Sequence, residues 1–252
     1  MKQMYSTYER YSSGFAGRMG RGLVRKLLKL LILTLILYLI ISSMFLATFQ
    51  VESVSMEPLL KSKDRVFVSP LIYGARILFF SAKLPPVREP ERGDIVVIHS
   101  PIYGPPRAPL SLIEPLIRFF SFQRGSVVRD ESGRRVPAYM IKRIVAVPGD
   151  TIRISGFTAY IRPEGSSTFT AEQQLIPGSY QILAGSLPEG WAKEFPFSGE
   201  HPPLTLEKDQ YFLLGDNRQG SSDSRSWGPV SRDQILGRVL YRYWPLGRSG
   251  RL

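Results

Sequence analysis

The chain of 252 residues contains no cysteine and only two histidines, His99 and His201. The missing thiols exclude disulfides, cysteine nucleophiles and cysteine-ligated zinc. Two imidazoles are too few for a metal site built from several histidines, and we expect no metal and no other cofactor. His99 ends an apolar run and His201 lies between Glu200 and Pro202, so both are predicted at strand ends or on the surface. A histidine-based catalytic triad would have to use one of these two residues.

Helical periodicity is also nearly absent after residue 50, apart from an ambiguous stretch at residues 111–122. In its place the sequence has short runs rich in branched residues and bounded by Gly, Pro, Asp and Ser, as strands usually are. With 43% hydrophobic residues, the chain has ample material for a core. We therefore predict a mostly β fold after residue 50. The predicted strands are residues 65–68, 94–98, 141–147, 151–154, 210–214 and 236–244.

One long apolar run is present, at residues 30–49, and its 20 residues include no charge. At about 1.5 Å per residue, a helix of this length would cross the roughly 30 Å hydrocarbon layer, so we predict a transmembrane helix. Seven cations and one carboxylate, Glu9, precede it, so half of the net charge of +12 lies in the first 29 residues. The positive-inside rule then places the N-terminus in the cytoplasm and the rest of the chain on the outer side of the membrane. The seven cations are Lys2, Arg10, Arg18, Arg21, Arg25, Lys26 and Lys29.

Two other interpretations of this basic, apolar start are weaker. A cleaved secretory signal has a shorter apolar core and a small-residue cleavage site, whereas residues 46–50 read LATFQ, which is a poor site. A retained anchor is therefore favoured. The remaining basic residues are spread among acidic neighbours, so we expect no nucleic-acid partner.

Two intervals interrupt the regular spacing of the predicted strands, at residues 100–136 and 156–208. Loops of this length are uncommon in compact domains, so each is predicted to be a functional insertion or a small subdomain. The second is long enough to form its own hairpins. The aromatic runs at residues 77–80 and 119–122 are either core faces or an apolar rim that dips into the membrane interface.

Two serines, Ser53 and Ser55, follow the apolar run, and Lys142 lies 87 positions beyond Ser55. A serine hydroxyl needs a base within hydrogen-bond reach, and a lysine can be that base only when neutral. In a strand, Lys142 would share a face with Met140 and Ile144, and burial among apolar groups lowers a lysine pKa. The alternatives are ordinary ones: a serine pair in a turn, and a surface lysine at a strand end.

A third polar element is the segment at residues 215–228, which is composed almost entirely of Gly, Ser, Asp, Asn and Arg and follows an apolar strand. It is either a polar connector or a turn fixed by salt bridges. In the second case, Asp216 or Asp223 would hold Arg143, Arg218 or Arg225.

With these elements in order, the chain resembles the bacterial type I signal peptidases, which are membrane-anchored Ser-Lys endopeptidases. The resemblance covers roughly residues 21–98, 139–154 and 210–245. Its motifs are residues 49–58 around the serines, RGDIVV at 92–97, YMIKR at 139–143 leading to PGD at 148–150, and the 215–228 segment.

The resemblance implies Ser55 as nucleophile and Lys142 as general base. It also implies that the Ser53 hydroxyl and the Ser55 backbone N–H form an oxyanion hole, and that Ser221 orients the Lys142 amine. Structural support of the site would come from Asp216, Asp223, Arg225 and Arg143. The substrate would add as an extended strand, with Ala-like residues in small pockets. The candidate lining residues are Phe49, Val51, Met56, Leu60, Tyr139 and Ile141.

The implied organisation is a basic cytoplasmic segment at residues 1–29, an anchor at 30–49, a catalytic domain at 50–155 and 206–252, and an inserted subdomain at 156–205. The implied location is the bacterial inner membrane, as a single-pass protein with the catalytic domain outside. The implied partners are signal peptides of secreted preproteins, membrane lipids and, by proximity, the protein export channel.

The sequence departs from the commoner family pattern at a few positions. Glu52 stands where proline is frequent, Val54 where glycine is frequent, and Gln219-Gly220 where an acidic-amide pair often lies. These changes bear on specificity more than on activity. Two other functions share the same features: a specialised Ser-Lys peptidase that matures one pilus or conjugation protein, and a non-catalytic membrane-anchored binding protein.

Overall fold

The computed structural model describes residues 22–38, 40–41, 45–75, 84–101, 139–178, 180–185 and 199–252. Several predictions lie outside these residues: those on the basic residues before residue 22, on the aromatic runs at 77–80 and 119–122, and on nearly all of the interval 100–136. The described residues fall into two compact units, one within residues 1–42 and one within residues 43–252.

The unit within residues 43–252 is built mainly from short antiparallel strands. In the described part of this unit, two single helical turns, α1 (Glu172–Leu175) and α2 (Ser224–Trp227), and three 3₁₀ turns connect them. The six strands predicted from sequence are present with ends shifted by at most two residues, and the mostly β prediction is confirmed. The described strands are β1 (Ala47–Gln50), β2 (Arg65–Ser69), β3 (Ile95–His99), β4 (Tyr139–Ala146), β5 (Thr151–Ser155), β6 (Thr158–Arg162), β7 (Thr170–Ala171), β8 (His201–Thr205), β9 (Gln210–Leu214), β10 (Val230–Ser231), β11 (Ile235–Trp244) and β12 (Gly250–Arg251).

The predicted transmembrane segment is wrong at its C-terminal end. Residues 22–38 and 40–41 are helical, but Ala47–Gln50 is strand β1 and pairs antiparallel with β2 in the register Ala47 to Val68. The apolar run therefore changes from helix to strand before Phe49, because these four residues form the edge strand of the larger sheet. Among the helices of the described ranges, none is both long enough and apolar enough to cross a membrane.

Eight of the described strands form the larger sheet, in the order β1-β2-β11-β3-β4-β9-β10, with β12 added on β11. The other four form a smaller sheet in the order β7-β6-β5-β8. The sequence assigned residues 151–155 to the catalytic region, but β5 is a central strand of the smaller sheet and pairs with β6 and β8. The smaller sheet therefore begins at Thr151, before the predicted boundary at residue 156.

Two similar turns lead into β3 and β5. Gly93 and Gly149 have φ of 93° and 85°, a conformation that favours glycine. The aspartate after each glycine accepts a backbone N–H of its own turn, from Glu91 to Asp94 at 3.0 Å and from Val147 to Asp150 at 2.9 Å. Arg92 of the first turn also pairs with Asp150 of the second. These contacts explain why the RGD motif lies directly before β3 and the PGD motif directly before β5.

One hydrophobic cluster joins the two sheets. It combines residues of β4 and β9 from the larger sheet, such as Val145 and Phe212, with residues of β5 and β6 from the smaller one, such as Ile152 and Ile161. All four side chains are fully buried. Two further clusters cover the two faces of β3, with Val97 on one face and Val96 on the other. The smaller sheet is therefore part of the core.

Truncation of Phe212 tests this shared core. Phe212→Ala should lower the free energy of unfolding by about 3–5 kcal/mol, because a buried aromatic ring leaves a cavity that the two sheets cannot close. The exposed Val87→Ala should change it by less than about 0.5 kcal/mol. Urea unfolding measures both. An equally small effect at Phe212 would contradict a core shared by the two sheets.

Candidate active site

Ser55 lies where the chain leaves the edge strand β1 and enters a short turn. Val51 is held at the start of this stretch by backbone hydrogen bonds with Asp64 and Lys63, both at 2.8 Å. After Ser55, the Leu60 N–H donates to the Met56 carbonyl at 2.9 Å. Ser55 is only 4% exposed, whereas its neighbours Ser53 and Val54 are exposed.

Lys142 reaches Ser55 from β4. The register places Lys142 opposite Val96 of β3, and the lysine is 3% exposed. Its Nζ lies 2.9 Å from the Ser55 Oγ, and the Ser53 Oγ lies 3.0 Å from the same oxygen. Residues separated by 87 positions in sequence are thus in direct contact. The three side chains predicted to act together form one hydrogen-bonded group.

The surroundings of Lys142 lower the pKa of its amine. This pKa falls from its ordinary value of 10.5 to about 8, with burial as the largest cause and the charge of Arg225 acting in the same direction. The carboxylates of Asp223 and Asp216 act in the opposite direction. Burial is the largest of these causes. The exclusion of water from the site therefore determines what fraction of Lys142 is neutral near pH 7.

The 215–228 segment holds the backbone around Ser55 from the other side. The Asn217 N–H donates to the Ser55 carbonyl at 3.0 Å, and the Asn217 side chain donates to the Val54 carbonyl at 3.3 Å. Gly215 packs so closely that a Cβ there would lie 2.6 Å from the Ser55 carbonyl oxygen. The same Cβ would lie 2.2 Å from the Ser221 Oγ, so only glycine fits at this position.

Ser221 is buried against Gly215, but it does not hydrogen-bond to Lys142 in this structure. Its Oγ has no hydrogen-bond partner among the residues that the structure describes. A buried hydroxyl without a partner costs about 1–3 kcal/mol. The predicted orienting contact is therefore not formed here, although the hydroxyl lies next to the Gly215 backbone.

Buried ion pairs fix the 215–228 segment. Asp216 accepts two hydrogen bonds from Arg143, at 2.8 and 2.7 Å, and Asp223 accepts two from Arg225, at 2.7 and 2.8 Å. Asp223 also accepts the Gly215 N–H at 3.1 Å. The polar segment is therefore a turn fixed by salt bridges and not a loose connector. Bidentate contacts of this kind set direction as well as distance.

Arg218 departs from the prediction, since its partner is not an aspartate of this segment. It makes a bidentate pair with Glu172 of α1, at 2.8 and 2.7 Å, and both side chains are almost fully buried. Sequence reasoning did not single out Glu172 or Asn217. Glu172 lies in an interval without a recognisable motif, and no local pattern indicates that its carboxylate is buried.

The six predicted lining residues lie in one hydrophobic cluster, but their accessibility differs. Val51, Met56 and Leu60 are buried, so they form the floor of this region. Phe49, Tyr139 and Ile141 are half-buried at the surface of the cluster, and the rings of Phe49 and Tyr139 meet edge to face at 5.4 Å. These three side chains are therefore the accessible members of the set.

The histidines lie at strand ends, as predicted. His99 ends β3 with its ring 5.3 Å from that of Tyr139, and His201 begins β8 with its Nδ1 2.7 Å from the Pro202 carbonyl. The amine at hydrogen-bond distance from the Ser55 hydroxyl is that of Lys142. In the described ranges, no group of three or more metal-binding side chains comes together.

The chain is similar in sequence to proteins of one peptidase family. The sequence profile of the family described as "Signal peptidase, peptidase S26" matches residues 24–244. A probable signal peptidase I-2 of Synechocystis sp. is 30% identical over 202 residues, which cover 80% of this chain and 65% of the relative. The signal peptidase I of Pseudomonas aeruginosa is 29% identical over 216 residues, covering 81% of this chain and 64% of the relative.

The chain belongs to the signal peptidase, peptidase S26 family, because the profile spans most of its length. It spans slightly less than two thirds of the two relatives just described. A solved signal peptidase I of Enterococcus faecalis aligns with 60% of this chain and 97% of its own, with 22% identity and a TM-score of 0.32. Family membership rests on the sequence match.

Removal of the Lys142 charge should stabilise the fold in a pH-dependent way. The folded-state pKa lies below the unfolded one, so the burial cost is complete below about pH 8 and disappears as pH rises toward 10.5. Lys142→Met should therefore raise the free energy of unfolding by about 1–2 kcal/mol at pH 7 and by less at pH 10. This figure already subtracts the contribution of the lost hydrogen bond to Ser55.

Urea unfolding at both pH values measures this difference, with the exposed Lys208→Met as control. The control should show a small, pH-independent change. A Lys142→Met protein that is less stable than the parent at pH 7 would contradict a costly buried amine.

Proposed function

We propose that this chain is a membrane-bound serine endopeptidase that removes N-terminal signal peptides from exported preproteins after an Ala-x-Ala-like site. The observation that carries this proposal is the buried contact between the Lys142 Nζ and the Ser55 Oγ at 2.9 Å. A lysine whose pKa is lowered to about 8 can act as a base beside a serine without histidine.

In the proposed acylation step, the neutral Lys142 amine accepts the hydroxyl proton as the Ser55 Oγ attacks the scissile carbonyl. The tetrahedral intermediate collapses when the C–N bond breaks, and the lysine returns the proton to the leaving amine. The result is an ester between Ser55 and the signal peptide. Lys142 then takes a proton from a water molecule that hydrolyses this ester, and the proton is returned to Ser55.

The oxyanion in this mechanism would be stabilised by the Ser53 hydroxyl and the Ser55 N–H. Ser53 is exposed and close enough to hydrogen-bond the Ser55 Oγ, so a rotation of its side chain would turn the hydroxyl toward a bound carbonyl. Each such donor contributes several kcal/mol in the transition state. The buried and unpaired Ser221 hydroxyl supports an orienting role toward Lys142, because a partner for it is expected in the working enzyme.

The substrate would bind as an added strand between the segment before Ser55 and the segment before Lys142. Two features favour this mode. β1 ends the strand order of the larger sheet, and the ladder between β4 and β9 begins only at Arg143. Ala-like side chains would lie against Phe49, Tyr139 and Ile141, above the buried floor of the cluster.

Membrane attachment through the N-terminal unit is part of the proposal. The uncharged run after Lys29 and the cations before it support an anchor with the N-terminus inside, which would end before β1. The catalytic domain would then lie on the outer side of the bacterial inner membrane, near membrane lipids and the protein export channel. The inserted subdomain would be the smaller sheet.

Two other functions give different experimental results. A specialised peptidase for one pilus or conjugation protein would share every catalytic residue, so the test is whether depletion of the protein makes many precursors accumulate or only one. A non-catalytic binding protein would not be labelled at Ser55 by an acylating serine inhibitor.

Removal of either dyad residue tests the proposal directly. Ser55→Ala and Lys142→Ala should each lower turnover of a synthetic Ala-x-Ala signal-peptide substrate by about 10³-fold or more, since the two residues act as a unit. The exposed Ser249→Ala and Lys208→Ala are matched controls that should keep normal rates. Near-normal turnover in a folded dyad variant, checked by circular dichroism, would contradict the mechanism.

The rate should also rise with pH as Lys142 loses its proton. Below about pH 8, kcat/KM should increase roughly tenfold per pH unit, and above this value it should level off. The measurement uses a substrate without ionisable groups near the cut. An optimum near pH 5 is incompatible with Lys142 as the base.

A further inference from the structure

The Glu172 carboxylate lies outside every recognised motif of the sequence, yet four donors converge on it. It accepts the Ala159 N–H at 2.9 Å, both terminal nitrogens of Arg218, and the Tyr180 hydroxyl. It is 0% exposed. Burial raises the pKa of Tyr180, and the adjacent carboxylate raises it further, so this hydroxyl remains a donor. Glu172 is thus a fully satisfied buried anion in α1, directly after β7 of the smaller sheet.

Arg218 connects this anion to the 215–228 segment. Its Nε donates to the Gly215 carbonyl at 3.0 Å, and its Nη1 donates to the Phe157 carbonyl at 2.8 Å. Its own carbonyl accepts from Arg225 at 2.6 Å. One guanidinium therefore joins the smaller sheet to the start of the segment and, through its backbone, to the arginine that pairs with Asp223.

A second connection runs through residues 180–185. The Leu183 N–H donates to the Asp216 carbonyl at 2.9 Å, and the Arg218 N–H donates to the Leu183 carbonyl at 2.8 Å. The Tyr180 ring lies 4.1 Å under the guanidinium of Arg143, which holds Asp216. Both partners of the Arg143–Asp216 pair are therefore in contact with this stretch of the inserted interval.

We propose that Glu172 is a positioning residue, which holds the 215–228 segment against Ser55 and keeps water away from the Lys142 amine through Arg218 and Tyr180. The proposal rests on the proposed function for its catalytic consequence. Gly215 and Asn217, the residues of the segment that meet the Ser55 backbone, lie within three positions of Arg218. In this proposal the smaller sheet acts on Ser55 and Lys142 through Arg218 and Tyr180.

The first test is Glu172→Gln, which keeps the shape and removes the charge. Arg218 would be left as a buried cation without its counter-ion, so the segment should loosen and admit water. We expect kcat at pH 8 to fall at least tenfold while KM stays within twofold, because the strands proposed to bind substrate are not altered. The acid limb of the pH profile should move to higher pH, since hydration favours the ammonium form.

Two control variants address general loosening of the smaller sheet. Glu200→Gln makes the same substitution at another carboxylate of the smaller sheet region, one that accepts the Gly156 N–H. Ile161→Val removes one methylene from the core of the same sheet. Both should keep kcat within twofold and the same pH profile. If either reproduces the effects of Glu172→Gln, the positioning role is overturned.

A double variant separates positioning from stability. Glu172→Gln with Arg218→Met removes the stranded cation, and replacement of a buried pair by neutral side chains often restores stability. Positioning predicts that the melting temperature recovers while kcat stays at least tenfold low and the pH profile stays shifted. A purely structural pair predicts that activity returns together with the melting temperature, and that result would overturn the proposal.

A measurement independent of turnover completes the test. Lysine labelled with ¹³C at Cε reports the Lys142 titration by NMR in the 252-residue chain, with Lys142→Arg to assign the signal. The Lys142 pKa should be higher in Glu172→Gln than in the parent chain. An unchanged titration overturns the inference. If the parent chain fails to cleave signal-peptide substrates, the proposed function fails, and the NMR titration still decides whether Glu172 acts on Lys142.

Discussion

The burial of one amine is the constraint on which the rest of the structure depends. Lys142 is held inside the protein next to Ser55, where the charged form is disfavoured. A flexible lysine in such a place would move its amine into water if a path were open. The fold must therefore close every such path and fix the serine at hydrogen-bond distance. The edge strand, the turn after Ser55 and the 215–228 segment together meet this requirement.

Buried ion pairs explain how so polar a segment stays rigid. Arg143, Arg218 and Arg225 each bind one carboxylate with two hydrogen bonds, and all three carboxylates are buried. Such pairs are poor sources of stability, since apolar side chains of similar volume often do as well. Their benefit here is geometric, because three planar guanidinium groups fix the orientation of a short chain of Gly, Ser and Asp residues beside Ser55 and Lys142.

Much of the larger sheet could be predicted from sequence because its strands are short runs rich in branched residues and bounded by turn-forming residues. Ser55 and Lys142 could be selected because their motifs occur in a characteristic order. The strand Ala47–Gln50 was not predicted, since an apolar strand and the end of an apolar helix look alike in sequence. The sheet to which Thr151–Ser155 belongs was not predicted for a related reason: a strand pattern does not reveal its pairing partner.

The sequence by itself determined the composition of the site: a serine pair, a lysine in apolar company, a segment rich in small polar residues, and no cysteine. Only the tertiary structure decided which groups meet. It selected Asp216 for Arg143 and Asp223 for Arg225, and it assigned Arg218 to the unmarked Glu172. The reason is physical. A charged residue is recognised in sequence by its type, but whether it is buried, and which counter-ion it finds, depends on contacts between strands far apart in the chain.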